Sequence, residues 1–211
     1  MGRAIEKLAD DYEASVCARV NDSSTYDLLQ ADVCIDFSHP DAVLDSLKKY
    51  ANQVKYWVIG TTGWERNLEE VVQLAHDHSL GLVYSSNFSS GMQLFFKLVS
   101  YAKTLLSDSY DVSIHELHHR YKVDAPSGTA KKLSEILGDV PVSSTRCGEI
   151  PGTHQVIIDS VDDTIELKHT ARNRLMFARG ALDAAQWVQG KSGIYRYEEV
   201  LFSCLEESSQ H

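Results

Sequence analysis

"ADVCIDFSHPDAVLDSLKKYANQVKYWVIGTTG", residues 31–63, contains a complete strand–helix–strand unit. "ADVCIDFS" is a short apolar run rich in Val, Ile and Phe, and "VKYWVIGTTG" repeats that character before ending in small polar residues and glycine. Between them, "HPDAVLDSLKKYANQ" places Val43, Leu47 and Tyr50 at helical spacing. The unit then recurs: "WERNLEEVVQLAHDHS" carries Leu68, Val71, Val72 and Ala75 on one predicted helix face, and "LGLVYSSN" forms a third buried strand. Strands that alternate with helices predict a parallel sheet with right-handed crossovers, an α/β fold. Upstream, Ile5, Leu8 and Tyr12 predict a first helix and "ASVCARV" a strand.

After Asn87 the rhythm changes. "GMQLFFKLVSYAKTLL" predicts a long helix, "YDVSIHELHH" an alternating strand, and "TAKKLSEILG" a helix closed by Gly138. "HQVIIDSVDDTIELKHTA" predicts two strands joined at "SVDD". The mixture implies a second, α+β domain with an antiparallel or mixed sheet. From Met176 onward, "ALDAAQWVQG" and "YRYEEVLF" predict helices that return to the first domain.

The chain has 211 residues, 43% of them hydrophobic, enough for a sizeable core without metals or disulfides. Its net charge of −10 argues against a nucleic-acid partner or an anionic membrane. Cys17, Cys34, Cys147 and Cys204 are scattered without close pairs and are expected to be buried thiols in a reducing compartment. No apolar run approaches the length of a membrane span, and the first residues lack a signal-peptide core, so a cytoplasmic protein is expected.

Ligands of parallel α/β sheets bind beyond the carboxyl ends of the strands. The three expected strands end in "DFSHP", "GTTG" and "SSNFSSG". Gly60 and Gly63 would allow close backbone approach to a flat or phosphorylated ligand, and Thr61, Thr62, Ser85, Ser86 and Asn87 offer hydrogen bonds.

"HELHHRYKVDAPSGTAKKLSEIL", residues 115–137, concentrates the remaining chemistry. Period-2 alternation puts Val112, Ile114, Glu116 and His118 on one strand face, with His115, Leu117 and His119 on the other. Adjacent histidines that point apart are poorly placed for one metal ion, and no metal is expected. Lys122, just past the strand, is expected to return beside His118 or His119 as a charge partner for acid catalysis. In "APSGTA", Pro126 precedes a turn, Gly128 is a candidate for positive φ, and Thr129 or Ser127 caps the following helix. The free N–H groups of Ser127, Gly128, Thr129 and Ala130 would then hold a carboxylate or phosphate at the positive end of the helix dipole.

The string "ELHHRYKVDAPSGTA" closely resembles the signature of the 4-hydroxy-tetrahydrodipicolinate reductase family, also called dihydrodipicolinate reductase, of bacterial lysine and diaminopimelate synthesis. "CIDFSHP", "VIGTTGW", "SSNFSSGM", "RCGEIPGTH", "HTARNRLMFARGAL" and "GIYRYEEVL" extend the resemblance over nearly the whole chain. It implies a Rossmann-type dinucleotide-binding domain over residues 1–88 and 175–211, and a substrate-binding and tetramerisation domain over residues 89–174. The implied reaction is hydride transfer from NADH or NADPH to a small dicarboxylate ring. By the same resemblance, His118 is proton donor or acceptor and Lys122 a proton donor. His119 binds substrate, and Gly128 with Thr129, beside Ser127, grips its carboxylate. Gly60, Thr61, Thr62, Ser85, Ser86, Asn87 and Phe88 contact the cofactor, and Arg174 lies where the chain crosses back between domains.

The family opens with a strand and a turn of the form G-x-x-G-x-M-G-R, whereas this chain starts at Met1-Gly2-Arg3. The expectation is therefore an N-terminally shortened Rossmann-type sheet, from a start placed at an internal methionine or from a shortened form. A shortened form raises an alternative function, an impaired binding or assembly protein of the same family. Arg19, Asn21 and Asp22 are the candidates for reading the cofactor ribose.

Overall fold

The computed structural model describes residues 1–21 and 24–208, and the chain divides into two units, Met1–Ser90 with the chain from Leu175 onward, and Gly91–Arg174. Asp22 and the Cys204 side chain lie outside what is described. In chain order the first unit holds α1 (Gly2–Leu8), β1 (Val33–Asp36), α2 (Pro40–Tyr50), β2 (Tyr56–Ile59), α3 (Leu68–Asp77) and β3 (Gly81–Tyr84). Next come α4 (Ser90–Leu105), β4 (Asp111–His118), α5 (Gly128–Leu137), β5 (Val142–Arg146), β6 (Thr153–Asp159) and β7 (Thr164–Thr170). The chain then forms α6 (Leu175–Val188), β8 (Gly193–Arg196) and α7 (Tyr197–Ser208).

In the first unit the sheet order is β1-β2-β3-β8, all parallel. Trp57, Val58 and Ile59 of β2 are fully buried because helices cover both faces of the sheet. On one face Val43, Leu47 and Tyr50 of α2 and Val71 of α3 pack with Trp57, Ile59 and Leu82. On the other, Ala181, Ala184 and Val188 of α6 pack with Val58, Val83 and Phe88. Each fully buried aliphatic side chain stabilises the unit by roughly 1.5–3 kcal/mol before entropy is counted. Ile5 and Leu8 of α1 pack on Ala178 and Leu182 of α6.

Several expectations are corrected. "ASVCARV" is not a strand, and Val16 and Val20 are exposed. Its composition suits a strand, but among the described residues it forms no ladder bonds, and β1 pairs with β2 alone. Val72 is also exposed, because the buried stripe of α3 runs through Val71 and Ala75. "YRYEEVLF" begins as the end of strand β8, and only from Tyr197 is it helical. Cys17 and Cys147 are exposed, whereas Cys34 is half-buried, with its thiol pushed up to about 12 by burial and by neighbouring Asp36 and Cys17.

The second unit is a mixed sheet of order β5-β4-β6-β7. β4 runs parallel to β5 and antiparallel to β6, and β6 and β7 form the hairpin expected at "SVDD", where Ser160 N–H donates to Asp163 C=O. One sheet face carries Ile114, Val156 and Ile158 against Met92, Phe95, Phe96 and Val99 of α4 and Leu133 and Leu137 of α5. Gly138 ends α5 at φ 95°, as its residue type predicts. β5, "VSSTR", has no apolar alternation and was not foreseen.

Candidate active site

The face of β4 that enters the core as Ile114 continues as Glu116 and then His118, all buried. Antiparallel pairing sets His154 of β6 opposite Glu116, and parallel pairing sets Arg146 of β5 opposite His118. One sheet face therefore changes from apolar to ionic along its strands, next to the start of α5. Glu116 is fully buried, yet each of its oxygens has a partner. Oε2 accepts from His118 Nδ1 in a short contact, and Oε1 accepts from Arg146 Nη2 at 2.7 Å and from Ser127 N–H at 3.3 Å. Burial raises the Glu116 pKa, but hydrogen bonds from Arg146, Ser144 and His118 outweigh it and hold the carboxyl at about 2.

His118 is pushed below the ordinary histidine range by burial; Glu116 opposes that shift, while Lys122 and Arg146 add to it. With Nδ1 on a carboxylate that only accepts, that nitrogen carries the proton and Nε2 is the free end of the ring. Gly152, at φ 145°, lies against this end: a Cβ there would sit 3.0 Å from Nε2. His154, with its ring centroid 5.2 Å from that of His118, is driven down to about 4, first by burial and then by the charge of His118. Its Nε2 is 3.2 Å from Ser127 Oγ, and its buried Nδ1 has no hydrogen-bond partner among the described residues.

Ser127 is the N-cap of α5, accepting from Ala130 N–H through Oγ at 3.2 Å. Two of the four N–H groups expected to be free are thus engaged, Ser127 with Glu116 and Ala130 with Ser127. A third, Gly128 N–H, bonds the Asp124 carboxyl, which is held low chiefly by Lys122 and also by this bond. Gly128 does not take positive φ. Lys122 Nζ donates to Asp124 Oδ1 at 2.7 Å, and Arg146 Nη2 also reaches Asp124 C=O at 2.6 Å. Thr129 is half-buried in the first turn of α5. His119, just beyond the strand, has a buried Nδ1 without a partner among the described residues, and its ring lies 6.2 Å from that of Tyr121.

Glu116, Arg146 and His154 had no assigned role in the sequence reading. The available signal was Glu116 itself, a charge in phase with the core residues Val112 and Ile114, which requires a buried counter-charge. Glu116, His118 and His154 place ligand-type atoms within 4.8 Å of one another. Both oxygens of Glu116 are already engaged by cationic or N–H donors, so the carboxylate serves the histidine and the arginine.

In the first unit, register brings Asp36, Ile59 and Tyr84 into line, so the loops after β1, β2 and β3 open on one edge. Thr62, Gly63 and Ser86 are exposed there, and Ser85 and Asn87 are half-buried. Thr61 is buried and donates to Asp36 Oδ1 at 3.0 Å, and Ser85 Oγ accepts from Asn87 N–H at 3.1 Å. Gly60 does not leave room for a ligand: a Cβ there would meet the Phe37 ring at 2.1 Å, so its missing side chain accommodates that ring. Phe88 lies in the core between Phe37 and Tyr197, with ring centroids 6.1 and 4.8 Å away. Exposed polar groups at aligned strand ends suit a flat or phosphorylated ligand. Thr62, Gly63, Ser86 and Asn87 are the residues placed to hold one.

Comparison with known proteins adds an independent line. Family models described as the N-terminus and the C-terminus of dihydrodipicolinate reductase match residues 1–88 and 91–201. A 4-hydroxy-tetrahydrodipicolinate reductase of Neisseria meningitidis serogroup B is 33% identical, with 82% of this chain and 74% of that protein covered. One from Ralstonia pickettii is 36% identical, with 86% and 78% covered. The solved structure of dipicolinate-bound dihydrodipicolinate reductase from Paenisporosarcina sp. TG-14 superimposes with a TM-score of 0.70 at 26% identity, covering 81% of this chain and 74% of that one.

Proposed function

The chain belongs to the dihydrodipicolinate reductase family, and on that premise we propose that it reduces 4-hydroxy-tetrahydrodipicolinate, by way of dihydrodipicolinate, to tetrahydrodipicolinate with NADH or NADPH. Residues 1–88 and 175–211 hold the dinucleotide and residues 89–174 the dicarboxylate, in a cytoplasmic homotetramer. Among the described residues no helix is long and apolar enough to cross a membrane. The observation that carries the proposal is the buried Glu116–His118 pair directly beside the N-terminus of α5.

The chemistry follows from these groups. The nicotinamide, when bound, supplies a hydride; the ring that accepts it gains an electron pair and needs a proton. His118 Nε2, left uncrowded by Gly152 and backed through Nδ1 by Glu116, takes up a proton to form the imidazolium and passes it to the ring, with Lys122 as a second donor. Ser127, Gly128 and Thr129 at the start of α5, with His119, hold the substrate carboxylate. Asp124 pairs with Lys122 and bonds Gly128 N–H until substrate arrives. Gly60, Thr61, Thr62, Ser85, Ser86, Asn87 and Phe88 form the cofactor edge, Gly60 and Phe88 by shaping it and the exposed hydroxyls and N–H groups by bonding.

The test is substrate-dependent oxidation of NADH and NADPH with freshly generated dihydrodipicolinate, with dipicolinate as inhibitor. Turnover competitively inhibited by dipicolinate is expected. Absence of turnover in a chain that binds the dinucleotide by calorimetry refutes the proposal.

A further inference from the structure

Glu116 would be easy to pass over as part of the core. An apolar residue there would continue the Ile114 face without charge, whereas a buried carboxylate costs several kcal/mol unless fully paired. This one is fully paired, and its partners belong to separate parts of the site: His118, the Ser127 turn and Arg146. We infer that Glu116 is the positioning residue of this site, fixing the tautomer of His118 through one oxygen and the N-terminal turn of α5 through the other. The inference rests on the proton-transfer role proposed for His118.

An acceptor-only carboxylate on Nδ1 leaves a single arrangement of the imidazole, with Nε2 exchanging protons beside Gly152. Without it the neutral ring is free to adopt the other tautomer and place the wrong nitrogen at the free end. Glu116 also supplies the negative charge facing this ring. Lys122 from the following loop and Arg146 from β5 both oppose its protonation, and His154 from β6 faces it as a neutral ring. Through Ser127 N–H the same carboxylate holds the turn whose N–H groups are assigned to the substrate carboxylate, so proton donor and anion grip share one anchor.

Glu116→Gln, Glu116→Asp and the double variant Glu116→Gln/Arg146→Met distinguish positioning from a purely structural role. Glu116→Gln is expected to lower kcat on the order of 10²-fold with KM for the nicotinamide unchanged. The pH above which activity declines should move down by about one unit, because a facing anion is lost. Glu116→Asp should keep that pH limb. The double variant removes both charges of the pair, and it should fold while retaining the kcat loss. Nitrogen NMR of the histidines should show one ring fixed as Nδ1–H in the wild type and released in Glu116→Gln, a readout that needs no turnover. If the wild type fails to turn over substrate, the functional reading falls while this tautomer test still stands. A folded Glu116→Gln or double variant with wild-type kcat and pH limb, or an unchanged tautomer, overturns the inference.

Discussion

Replacing Arg146 by methionine removes the strongest donor to a fully buried carboxylate. Glu116 titrates at about 2 instead of 4.5, so its hydrogen-bond partners exceed the cost of its burial by about 3 kcal/mol at neutral pH, at 1.36 kcal/mol per unit. Arg146 supplies the largest of the favourable contributions, and losing one partner of a buried pair typically costs about 3–5 kcal/mol. Its own side chain is 18% exposed, which admits some water and places the expected loss near the lower end, about 3 kcal/mol. The pH dependence has a definite sign. A depressed carboxyl contributes stability above its unfolded value of 4.5 that is lost as pH falls through about 2. The deficit of Arg146→Met should therefore shrink on acidification, as the stranded carboxyl takes up a proton. Urea unfolding at pH 7 and pH 4 measures both effects, and Glu116→Gln in the same background should recover part of the loss. A deficit below about 0.5 kcal/mol, or strict additivity of the two substitutions, refutes the buried-pair reasoning.

Three further outcomes are expected. His154 titrates at about 4 when folded and 6.5 as reference, so the unfolded chain takes up its proton first. Stability should fall from about pH 6.5 towards 4, by about 2 kcal/mol at pH 5, and His154→Gln should flatten that slope in urea titrations. Gly152→Ala forces a side chain to 3.0 Å from His118 Nε2 at φ 145°, and thermal melts should show a loss of about 1–3 kcal/mol along with a sharp fall in kcat. Asp124→Asn removes the charge that occupies Gly128 N–H and pairs with Lys122, so steady-state KM for the dicarboxylate should fall severalfold; an unchanged or raised KM rejects that competition.

The first unit was readable because its strands are buried on both faces: Trp57, Val58 and Ile59 announce themselves as a continuous apolar run. The same rule misled at residues 14–20, where Val16 and Val20 have strand character but are exposed and pair with no described strand. β5 escaped because Ser143 and Ser144 are exposed and the strand is defined by its bonds to β4, which no local pattern encodes. In the site, His118, Lys122 and the Ser127 turn were legible as near neighbours in sequence. Arg146 lies 30 residues from Glu116, and only the β4–α5–β5 crossover brings the two together. His154 is carried in by the antiparallel register of β6. The N-terminal turn of α5 was expected to be open, yet Glu116, Asp124 and Ser127 already bond its N–H groups; side chains from outside the helix compete for such groups in a way helix geometry alone does not reveal.

The central claim, that His118 moves the proton matching hydride transfer to the dicarboxylate ring, is tested most directly by steady-state reduction of dihydrodipicolinate by wild type and His118→Gln. The account predicts a kcat loss on the order of 10²-fold or more with an unchanged calorimetric affinity for the dinucleotide. Turnover by a folded His118→Gln chain within about twofold of wild type would contradict it.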